Sequence, residues 1–439
     1  MALKVAVVGS GIAGLAAAHT LRGQAEVHLF ESGRYFGGHT HTVDVTLPAP
    51  EGPVTHGVDT GFLVMNPRTY PQLLKMLAEL DVATAPSDMS FSAQVHFGAS
   101  APALEWSGSN LNTVFAQRRN LLRPAFWGML NDLLRFNRLT TALAAQGADA
   151  AMRQPMGDFL RAHRFGDAFC NWYLLPMMAC IWSCPTPQML QFPVATLIRF
   201  CHNHGLLQIT NRPQWLTVDG GARTYVERIV SALEHTYLNT PIRTIDWNTG
   251  LASGAAGGVV LHTDQGSAHF DKVIIASHAD QALKMLAQPT PAETGTLGAI
   301  RFQPNHAVLH TDTGVMPQRR AAWSAWNYEH APAAAQENGH VCLHYWINRL
   351  QPLPWQQPVM VSLNPVRPIH QDHVLGRFDY DHPVLDLEAI AAQARMPSLQ
   401  GTHGRYYAGA WMGYGFHEDG FKAGVAAAQR VLADHRVGA

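Results

Sequence analysis

The first thirty residues alternate apolar runs with single glycines, a pattern that predicts a strand, a tight turn and a helix. The run KVAVVGSG, residues 4–11, is rich in valine and ends in glycine, as a buried strand and its turn do. In the following IAGLAAAHTL, residues 12–21, alanine and leucine recur at helical spacing. A second strand, EVHLFE, residues 26–31, completes a strand–helix–strand opening.

Three later blocks repeat the alternation of strands and helices. Residues 56–82 predict a strand, a helix with regularly spaced leucines and a short strand. Residues 240–286 indicate strands joined by turns, the last of which enters a helix. Residues 405–432, RYYAGAWMGYGFHEDGFKAGVAAAQRVL, predict a closing strand, a glycine-rich loop and a final helix.

Two segments differ in pattern from these blocks. Residues 89–204 are rich in aromatics, leucine and methionine, with helical stretches such as AFWGMLNDLLRFNRLTTALAA. Residues 291–400 alternate apolar and polar positions as strands do, for example in FQPNHAVLHTD. We therefore expect a helical cap and a β layer beside the α/β part of the chain.

The glycines of the opening turn carry the first sign of chemistry. Gly9, Gly11 and Gly14 form GxGxxG, in which the first permits the turn, the second lets a pyrophosphate approach and the third lets helix pack on strand. Glu31 ends the second strand, where a carboxylate accepts both ribose hydroxyls of an adenosine and disfavours a 2′-phosphate. The pattern predicts a dinucleotide site, which NAD or FAD could occupy, and disfavours NADP.

A second glycine pair, Gly37 and Gly38, lies six and seven residues after Glu31 and favours FAD, because it lets the chain pass close to a dinucleotide beyond the first loop. With this pair the chain resembles the superfamily of flavin-containing amine oxidoreductases and phytoene desaturases, within it a bacterial subgroup of NAD/FAD-binding oxidoreductases. The blocks at 56–82 and 405–432 extend the resemblance over about half of the chain. It implies a Rossmann-type FAD-binding domain with an interleaved α+β substrate domain.

The resemblance implies non-covalent FAD and a set of residues that contact it. These residues are Gly9, Ser10, Gly11, Ile12, Ala13, Gly14, Glu31, Ser32, Arg34, Gly37, Gly38, His39, Thr40, Asp59, Thr60, Gly61, Phe62, Ile242, Gly409, Ala410, His417, Asp419 and Gly420. Among them, Asp59, Thr60 and Gly61 are expected beside the isoalloxazine ring, and the backbone of Ile242 at the adenine. We expect His417 to contact the flavin rather than to transfer a proton.

The sequence departs from the superfamily at two positions. His39 stands where an arginine usually lies near the pyrophosphate, so Arg34 of the same loop is the candidate for the missing charge. Ala410 stands where a glutamate often holds the ribityl chain. The pair His39 and His41 could bind zinc or iron only if further ligands converged, and the sequence indicates no such set. We expect no metal.

Composition limits the partners and the compartment. The chain has 439 residues, enough for two lobes, and 31 basic residues balance 32 acidic ones, which argues against a nucleic-acid partner. The five cysteines are odd in number and widely spaced, as in a reducing compartment, so we expect a cytoplasmic protein. Residues 1–21 are interrupted by glycines and do not read as a signal peptide. No stretch is apolar enough to span a membrane, which leaves peripheral contact open.

The domains and the function follow from these expectations. Residues 1–88, 205–290 and 401–439 are predicted to form the FAD-binding domain, and residues 89–204 and 291–400 the substrate-binding domain. The predicted reaction moves a hydride between an apolar substrate and flavin N5, the substrate being a fatty acyl chain, a lipid or a polyene, since the chain is only 14% charged. The electron acceptor, oxygen or another, stays open.

Several alternatives remain. A double-bond isomerase or mutase, an amine oxidase and a non-catalytic flavin-binding protein would share the cofactor motifs. No lysine offers a counterpart to the one found near N5 in many amine oxidases, so the catalytic residues are unknown. Asn305 and His306 could face the ring or lie on a strand surface. Cys180 and Cys184, four residues apart, are expected to be packed thiols on one helix face.

Overall fold

The computed structural model describes residues 2–98, 102–145, 154–203, 213–248, 258–330 and 340–438. Within these ranges the strands are β1 Lys4–Val8, β2 Glu26–Phe30, β3 Thr42–Ala49, β4 Gly52–Asp59, β5 Thr84–Ser87, β6 Phe91–Val95, β7 Leu104–Ser107, β8 Trp215–Val218, β9 His235–Tyr237, β10 Thr244–Asn248, β11 Gly258–Thr263, β12 Gly266–Phe270, β13 Lys272–Ile275, β14 Phe302–His310, β15 Trp326–His330, β16 Cys342–Trp346, β17 Met360–Leu363, β18 Val374–Pro383 and β19 Arg405–Tyr407.

The helices of the same ranges connect and cover these strands. They are α1 Ile12–Leu21, α2 Pro71–Glu79, α3 Leu111–Val114, α4 Pro124–Ala145, α5 Met156–Ala162, α6 Asp167–Phe169, α7 Leu175–Trp182, α8 Thr186–Met189, α9 Val194–Asn203, α10 Arg223–Val230, α11 Ala279–Met285, α12 Pro291–Leu297, α13 Ile347–Leu350, α14 Leu387–Arg395 and α15 His417–Gly438. No helix within the described residues combines the length and the apolar content that crossing a bilayer requires.

A five-stranded parallel sheet forms the first layer, in the order β19-β13-β1-β2-β9. The central strand β1 is apolar because both of its faces are buried, as is usual in parallel sheets. Helix α1 connects β1 to β2 on one side, while β13 pairs with β1 on the other. Strand order therefore reverses beside β1, and ligands of open α/β sheets bind at the carboxyl ends of strands at such a point. The predicted Rossmann-type α/β fold is confirmed.

Helices α1 and α15 pack so closely that only glycine fits between them. A Cβ atom added to Gly424 of α15 would lie 2.0 Å from the backbone oxygen of Ala13, and one added to Gly420 would lie 2.7 Å from Ile12 Cγ2. These contacts place the start of α15 directly beside the start of α1. The two helix N-termini consequently face the same edge of the parallel sheet.

A seven-stranded mixed sheet forms the second layer, in the order β18-β14-β17-β16-β15-β6-β7. Five of its strands come from the predicted β layer at 291–400. The other two, β6 and β7, come from residues 89–204, where the sequence indicated helices. These strands are short, and β6 buries the polar Ser92 and Gln94, which bond to Asn327 and to the Val315 carbonyl, so apolar alternation does not reveal them.

Helices α4–α9 provide the predicted helical part of the second layer. Strands β10–β12 form a separate antiparallel sheet, and β3–β4 and β5–β8 form two-stranded sheets. All strands of the five-stranded sheet belong to the ranges predicted for the FAD-binding domain, and all strands of the seven-stranded sheet belong to the ranges predicted for the substrate-binding domain. The domain boundaries themselves stay a prediction, and the boundary at 204/205 lies outside the described residues.

Candidate active site

A cavity of about 560 Å³ opens where the carboxyl ends of β1 and β13 face the seven-stranded sheet. Its walls come from segments far apart in the sequence. They are Gly9–Ala13, Glu31, Ser32, Tyr35, Gly38, His39, Gly61–Val64, Tyr70, Met89, Cys180–Ser183, Phe200, Trp215, Ala276–His278, Gln281, Phe302, Trp326, Tyr345, Asp379–Pro383, Gly409–Trp411 and Tyr414–His417. One part of this wall is polar and glycine-rich, and the other is apolar.

The three glycines of the opening turn have the geometry that a dinucleotide requires. Gly9 has a φ of +100°, and a Cβ there would lie 2.8 Å from the Ala276 oxygen. A Cβ at Gly14 would lie 1.8 Å from the Gly9 oxygen, so this position must be glycine for α1 to pack on the turn. A Cβ at Gly11 would meet no protein atom within 4 Å. The backbone at Gly11 therefore borders open space at the N-terminus of α1, which no side chain caps.

Glu31 lies at the end of β2 with its carboxylate fixed from two sides. Its Oε2 accepts hydrogen bonds from the Ser10 amide (3.0 Å) and hydroxyl (2.5 Å), and its Oε1 accepts one from the Gly33 amide (2.7 Å). Each carboxylate oxygen can accept more than one hydrogen bond. Glu31 can thus receive ribose hydroxyls while staying in place.

The loop after β2 brings Gly38 and His39, but not Arg34, to the cavity. Gly37 and Gly38 have φ values of +125° and +59°, which glycine adopts without strain. Arg34 is exposed and does not line the cavity. The hydroxyl of Thr40 points behind the wall. Arg34 is therefore poorly placed to supply the charge expected in this loop.

Three histidines cluster where His39 reaches the cavity. The ring centroid of His39 lies 6.3 Å from that of His278 and 5.3 Å from that of His382. His39 Nε2 and His278 Nδ1 are buried and have no hydrogen-bond partner among the described residues. Asn305 Nδ2 donates to His382 Nδ1 at 2.9 Å, so Asn305 orients this cluster instead of facing the cavity. His306 is exposed and does not line the cavity, and its Nδ1 lies 2.9 Å from Oδ1 of Asp379.

Burial keeps this histidine cluster uncharged. Burial, together with the neighbouring His382, His278 and His417, lowers the pKa of His39 well below its usual value. Burial lowers the pKa of His382 to about 4 and lowers that of His278 as well. The histidines are consequently neutral near pH 7, and two of their nitrogens lack a partner.

The segment after β4 is divided between the wall and the interior. Gly61 and Phe62 line the cavity, and a Cβ at Gly61 would lie 2.2 Å from the His39 oxygen. Asp59 does not line it: its carboxylate accepts from the Thr42 hydroxyl at 2.5 Å and from the Ala222 amide at 3.0 Å, before α10. Burial raises the pKa of Asp59 to about 7.

Thr60 also lies behind the wall. Its hydroxyl bonds to the hydroxyl of Tyr380 at 2.6 Å and to the His41 carbonyl at 3.0 Å. The His41 ring stacks on Tyr35 at 4.0 Å between centroids and bonds to Tyr380. Thr60 and Asp59 hold the wall together, and neither residue lines the cavity.

The start of α15 reaches the cavity through His417. Its ring stacks on Phe62 with 3.7 Å between centroids, and its Nε2 lies 2.6 Å from the Tyr225 hydroxyl and 3.2 Å from Thr40 Oγ1. Burial lowers the pKa of His417 to about 3. A neutral imidazole whose Nε2 is engaged by two hydroxyl groups is a poor proton carrier. The contact with the flavin that the sequence suggested for His417 stays a prediction.

Three other predicted residues do not line the cavity. Asp419 accepts hydrogen bonds from the Tyr414 and Phe416 amides and so shapes the glycine-rich loop, and burial raises its pKa to about 6. Gly420 packs on α1. Ile242 is buried in the core beside the parallel sheet, and its predicted backbone contact stays a prediction. Gly409 and Ala410, by contrast, do line the cavity.

The sequence missed several parts of the wall, among them the apolar residues and two segments with polar side chains. Residues Ala276–His278 and Gln281 follow β13. The sequence could have predicted their place in the wall, because ligands bind at the carboxyl ends of parallel strands. Residues Asp379–Pro383 come from β18, more than 300 residues from the opening turn. No local pattern relates these two distant segments.

The apolar part of the wall comes from α7, α9, β15 and β16. It includes Ile181, Trp182, Phe200, Trp326 and Tyr345, the last two in an edge-to-face pair 5.0 Å apart. No lysine or arginine occurs among the described residues that line the cavity, and the acids lie in its polar part.

The cysteines behave as packed thiols. Burial raises the pKa of Cys180 well above its usual value and that of Cys184 to about 12. They do not share a helix face, however, because α7 ends at Trp182 and Ser183 takes a φ of +52°. Cys180 lines the cavity and Cys184 does not.

Two groups of potential metal ligands occur in the described residues, away from the cavity lining. Glu26, His28 and His235 form one, and Glu329, Cys342 and His344 the other. Both consist of side chains that already pair with one another. Neither includes His39 or His41.

The family of this chain follows from comparison with known proteins. The family model for flavin-containing amine oxidoreductases matches residues 12–313. The chain belongs to this family. The predicted flavin cofactor and oxidoreductase class are those of the flavin-containing amine oxidoreductases, as the glycine motifs indicated.

One curated relative and two solved structures are similar to this chain. AofH of Mycobacterium tuberculosis H37Rv bears the name of a flavin-containing monoamine oxidase. The chain is 27% identical to AofH over 286 residues, which are 62% of this chain and 56% of AofH. The chain thus spans little more than half of that relative. Cyclohexylamine oxidase from Brevibacterium oxydans IH-35A shares the fold, with a TM-score of 0.66 and 15% identity over 99% of this chain and 100% of that chain. So does a CLA-producing fatty acid isomerase from P. acnes, with a TM-score of 0.65 and 15% identity over 98% of both chains.

Proposed function

We propose that this flavin-containing amine oxidoreductase family member is an FAD-dependent oxidoreductase that removes a hydride from a carbon of an apolar substrate, an acyl chain of a fatty acid or lipid or a polyene. The observation that carries the proposal is the apolar, uncharged part of the cavity wall. A wall of Ile181, Trp182, Phe200 and their neighbours stabilises a hydrocarbon by burying it and offers a charged group no partner.

The polar part of the cavity fits FAD. The open space beside Gly11 accommodates a pyrophosphate at the N-terminus of α1, and Glu31 is placed for the ribose. Bound flavin would supply the hydride acceptor at N5. The N-terminus of α15 borders the cavity through His417, and its dipole would favour negative charge on a bound flavin.

We further propose that the histidine cluster takes the place of the family's arginine. His39 and His278 line the same cavity as Gly11, and each has one buried ring nitrogen without a hydrogen-bond partner among the described residues. In a neutral imidazole only one ring nitrogen carries a proton, so the ring must gain a second proton before both nitrogens can donate to phosphate. A neighbouring anion favours the charged form, so His39 is expected to take up a proton when the pyrophosphate binds.

The apolar wall also sets the environment of the reaction. Packed aromatic rings exclude water from the reacting carbon and orient the chain, which strengthens every polar interaction in the site. Loss of two hydrogens as a hydride and a proton would introduce a double bond.

Anaerobic flavin absorption tests this proposal. The purified protein with FAD is titrated separately with fatty acids, phospholipids, polyenes and amines, and the oxidised flavin band is followed. Bleaching by acyl or polyene substrates alone is the expected result. Bleaching by amines alone would contradict the substrate class. A product in which the double bond has moved, with no net reduction of the flavin, would identify an isomerase.

Amine oxidation is the second candidate, because the Trp326–Tyr345 pair lines the cavity. Aromatic faces attract a substrate ammonium group, although this pair is edge-to-face at 82° and does not form two parallel walls. A Trp326→Leu variant distinguishes the two. It should weaken turnover of an amine by removing cation–π attraction, whereas an acyl chain should lose only packing area.

A further inference from the structure

Large apolar side chains are exposed together at the start of the helical part of the second layer. Leu122 and Leu111 are 86% and 79% exposed, and Leu121 and Trp127 lie beside them at about half exposure, 45% and 49%. Soluble surfaces rarely group such residues without an interaction partner. These four side chains and the three arginines described next are called the Leu–Trp–Arg surface.

The Trp127 side chain is held in place on this surface. The Trp127 indole donates to the Leu121 carbonyl at 3.0 Å. The Trp127 ring also packs against Phe115, 5.3 Å away, and Phe115 packs on the buried Phe126 of α4. The tryptophan therefore has a fixed position, which lowers the entropic cost of ordering it when a partner binds.

Arginines surround these apolar side chains without acidic partners. Arg118 donates to the Phe115 carbonyl and to Asn112, and Arg119 donates to the carbonyls of Pro102 and Ala103. Arg123 lies near Arg119, since burial and the charge of Arg119 lower its pKa. Within the described residues none of the three forms an ion pair with a carboxylate. The surface carries uncompensated positive charge.

We propose that the Leu–Trp–Arg surface docks the protein on an anionic phospholipid bilayer. Leucines and a tryptophan that hydrogen-bonds at one end suit the boundary between acyl chains and headgroups, and arginines suit the lipid phosphates. A protein partner would have to match the same charge and apolar pattern. The anionic bilayer matches both without further assumption.

The position of the surface in the fold also favours a membrane. Trp127 belongs to α4, which packs on α9, and Phe200 of α9 lines the apolar part of the cavity. Docking through Trp127 would therefore place on the bilayer a helix that packs against a cavity-lining helix. Bilayer binding goes beyond the proposed function, because it is measured on vesicles without any reaction.

Vesicle flotation of the FAD-loaded protein tests the inference. Binding to vesicles of phosphatidylcholine mixed with phosphatidylglycerol is compared with binding to phosphatidylcholine alone. We expect preferential binding to the anionic vesicles that weakens with added salt. Since each surface arginine contributes about a fivefold gain in binding near anionic lipid, Arg118→Gln and Arg123→Gln should each weaken binding about fivefold.

A matched pair of leucine variants isolates the apolar contribution. Leu122→Asp should abolish flotation, whereas Leu387→Asp, at an exposed leucine that starts α14, should leave it unchanged. Both positions are exposed, so neither change should unfold the protein, which circular dichroism checks.

Three outcomes would overturn the inference. They are absence of wild-type flotation, flotation unaffected by Leu122→Asp, and a concentration-dependent dimer in sedimentation velocity that Leu122→Asp abolishes, which would reassign the surface to self-association. Flavin reduction by detergent-dispersed substrate is measured in parallel. Reduction without flotation would reject docking alone, and flotation without reduction would reject the substrate class alone.

Discussion

At the scale of single residues, the departure at His39 has the most direct chemical consequence. An arginine carries its charge at every physiological pH, whereas the lowered pKa of the half-buried His39 keeps it neutral near pH 7 in the absence of a ligand. Arg34, which the sequence offered as a substitute, is exposed and does not line the cavity. Cofactor affinity should therefore depend on pH in a way that an arginine would prevent.

We predict that FAD binding weakens as pH rises. If His39 takes up one proton on binding, the dissociation constant rises by up to about tenfold per pH unit between its pKa values in the free and bound protein. The groups facing His39 are His278, His382, His417 and the backbone of Asp381, and the histidines are neutral near pH 7.

Equilibrium dialysis of FAD across pH measures this dependence. His39→Arg should bind with little dependence on pH, and His39→Gln should bind weakly at every pH. Calorimetric titration in buffers of different ionisation enthalpy counts the protons taken up. A wild-type affinity that is constant with pH, with no proton uptake, would reject the role of His39.

A second prediction concerns Glu31 and the ribose. Glu31→Gln removes a charged acceptor, and a hydrogen bond to a charged group contributes about 1.5–3 kcal/mol. FAD should dissociate at least tenfold more readily, measured by flavin fluorescence on dilution. Glu51→Gln, the same change at an exposed position on a turn, is the control and should have no effect. Equal losses in both variants would contradict the assignment.

At the scale of elements, the close contact of α1 and α15 links stability to the cofactor site. The contact depends on glycines, since a Cβ at Gly424 would overlap the Ala13 backbone. Two helix N-termini face the cavity only while these helices stay close. The Glu418 carboxylate of α15 also accepts hydrogen bonds from the Gln72 and Leu73 amides and so fixes the start of α2 to the same helix.

We predict that Gly424→Ala destabilises the protein, because overpacking typically costs about 1–3 kcal/mol. Gly128→Ala makes the same change in α4, where a Cβ would meet no atom within 4 Å. It should be neutral or stabilise by about 0.5–1 kcal/mol, because alanine favours helix. Thermal unfolding monitored by circular dichroism compares the two. A fall in melting temperature for Gly128→Ala alone would refute the packing argument.

At the scale of the whole molecule, the seven-stranded sheet buries a charged network on the face away from the cavity. His344 Nε2 lies 3.0 Å from Glu329 Oε2, and Arg367 Nε lies 2.7 Å from Glu329 Oε1. Burial alone would lower the pKa of His344, but Cys342 and Glu329 outweigh it and raise the pKa to about 9. His344 is therefore charged at neutral pH, unlike the histidines of the cavity.

This network should make stability fall as pH rises. The folded pKa of His344 exceeds the unfolded one, so its contribution is complete below about pH 6.5 and is lost as pH rises through about 9, by at most about 1.4 kcal/mol per pH unit. Urea unfolding between about pH 7.5 and 9.5 avoids the titration of Asp59.

His344→Gln is expected to make this part of the stability curve less steep, and the exposed His435→Gln should leave it unchanged. The remaining slope comes from buried thiols such as Cys184, whose pKa is also raised in the folded protein. The same slope in wild type and His344→Gln would show that another group titrates. The free energy of unfolding at neutral pH should also fall in His344→Gln, because Glu329 loses one of its buried partners.

The sequence alone determined the α/β class, the flavin family and the glycine-rich half of the cavity. These depend on contacts within about thirty residues, where the φ of Gly9, the start of α1 and the position of Glu31 follow from local geometry. Patterns of this kind can be recognised one segment at a time.

Only the tertiary structure decided the other half. His278, His382 and the apolar wall come from segments separated by up to several hundred residues, and which of them meet depends on how the two sheets pack. The tertiary structure also shows that Asp59, Thr60 and Asp419 do not line the cavity. Their polar groups form hydrogen bonds with amides and hydroxyls of neighbouring segments instead. Residue type and spacing specify a side chain's chemistry, whereas its partners depend on the long-range packing of the chain.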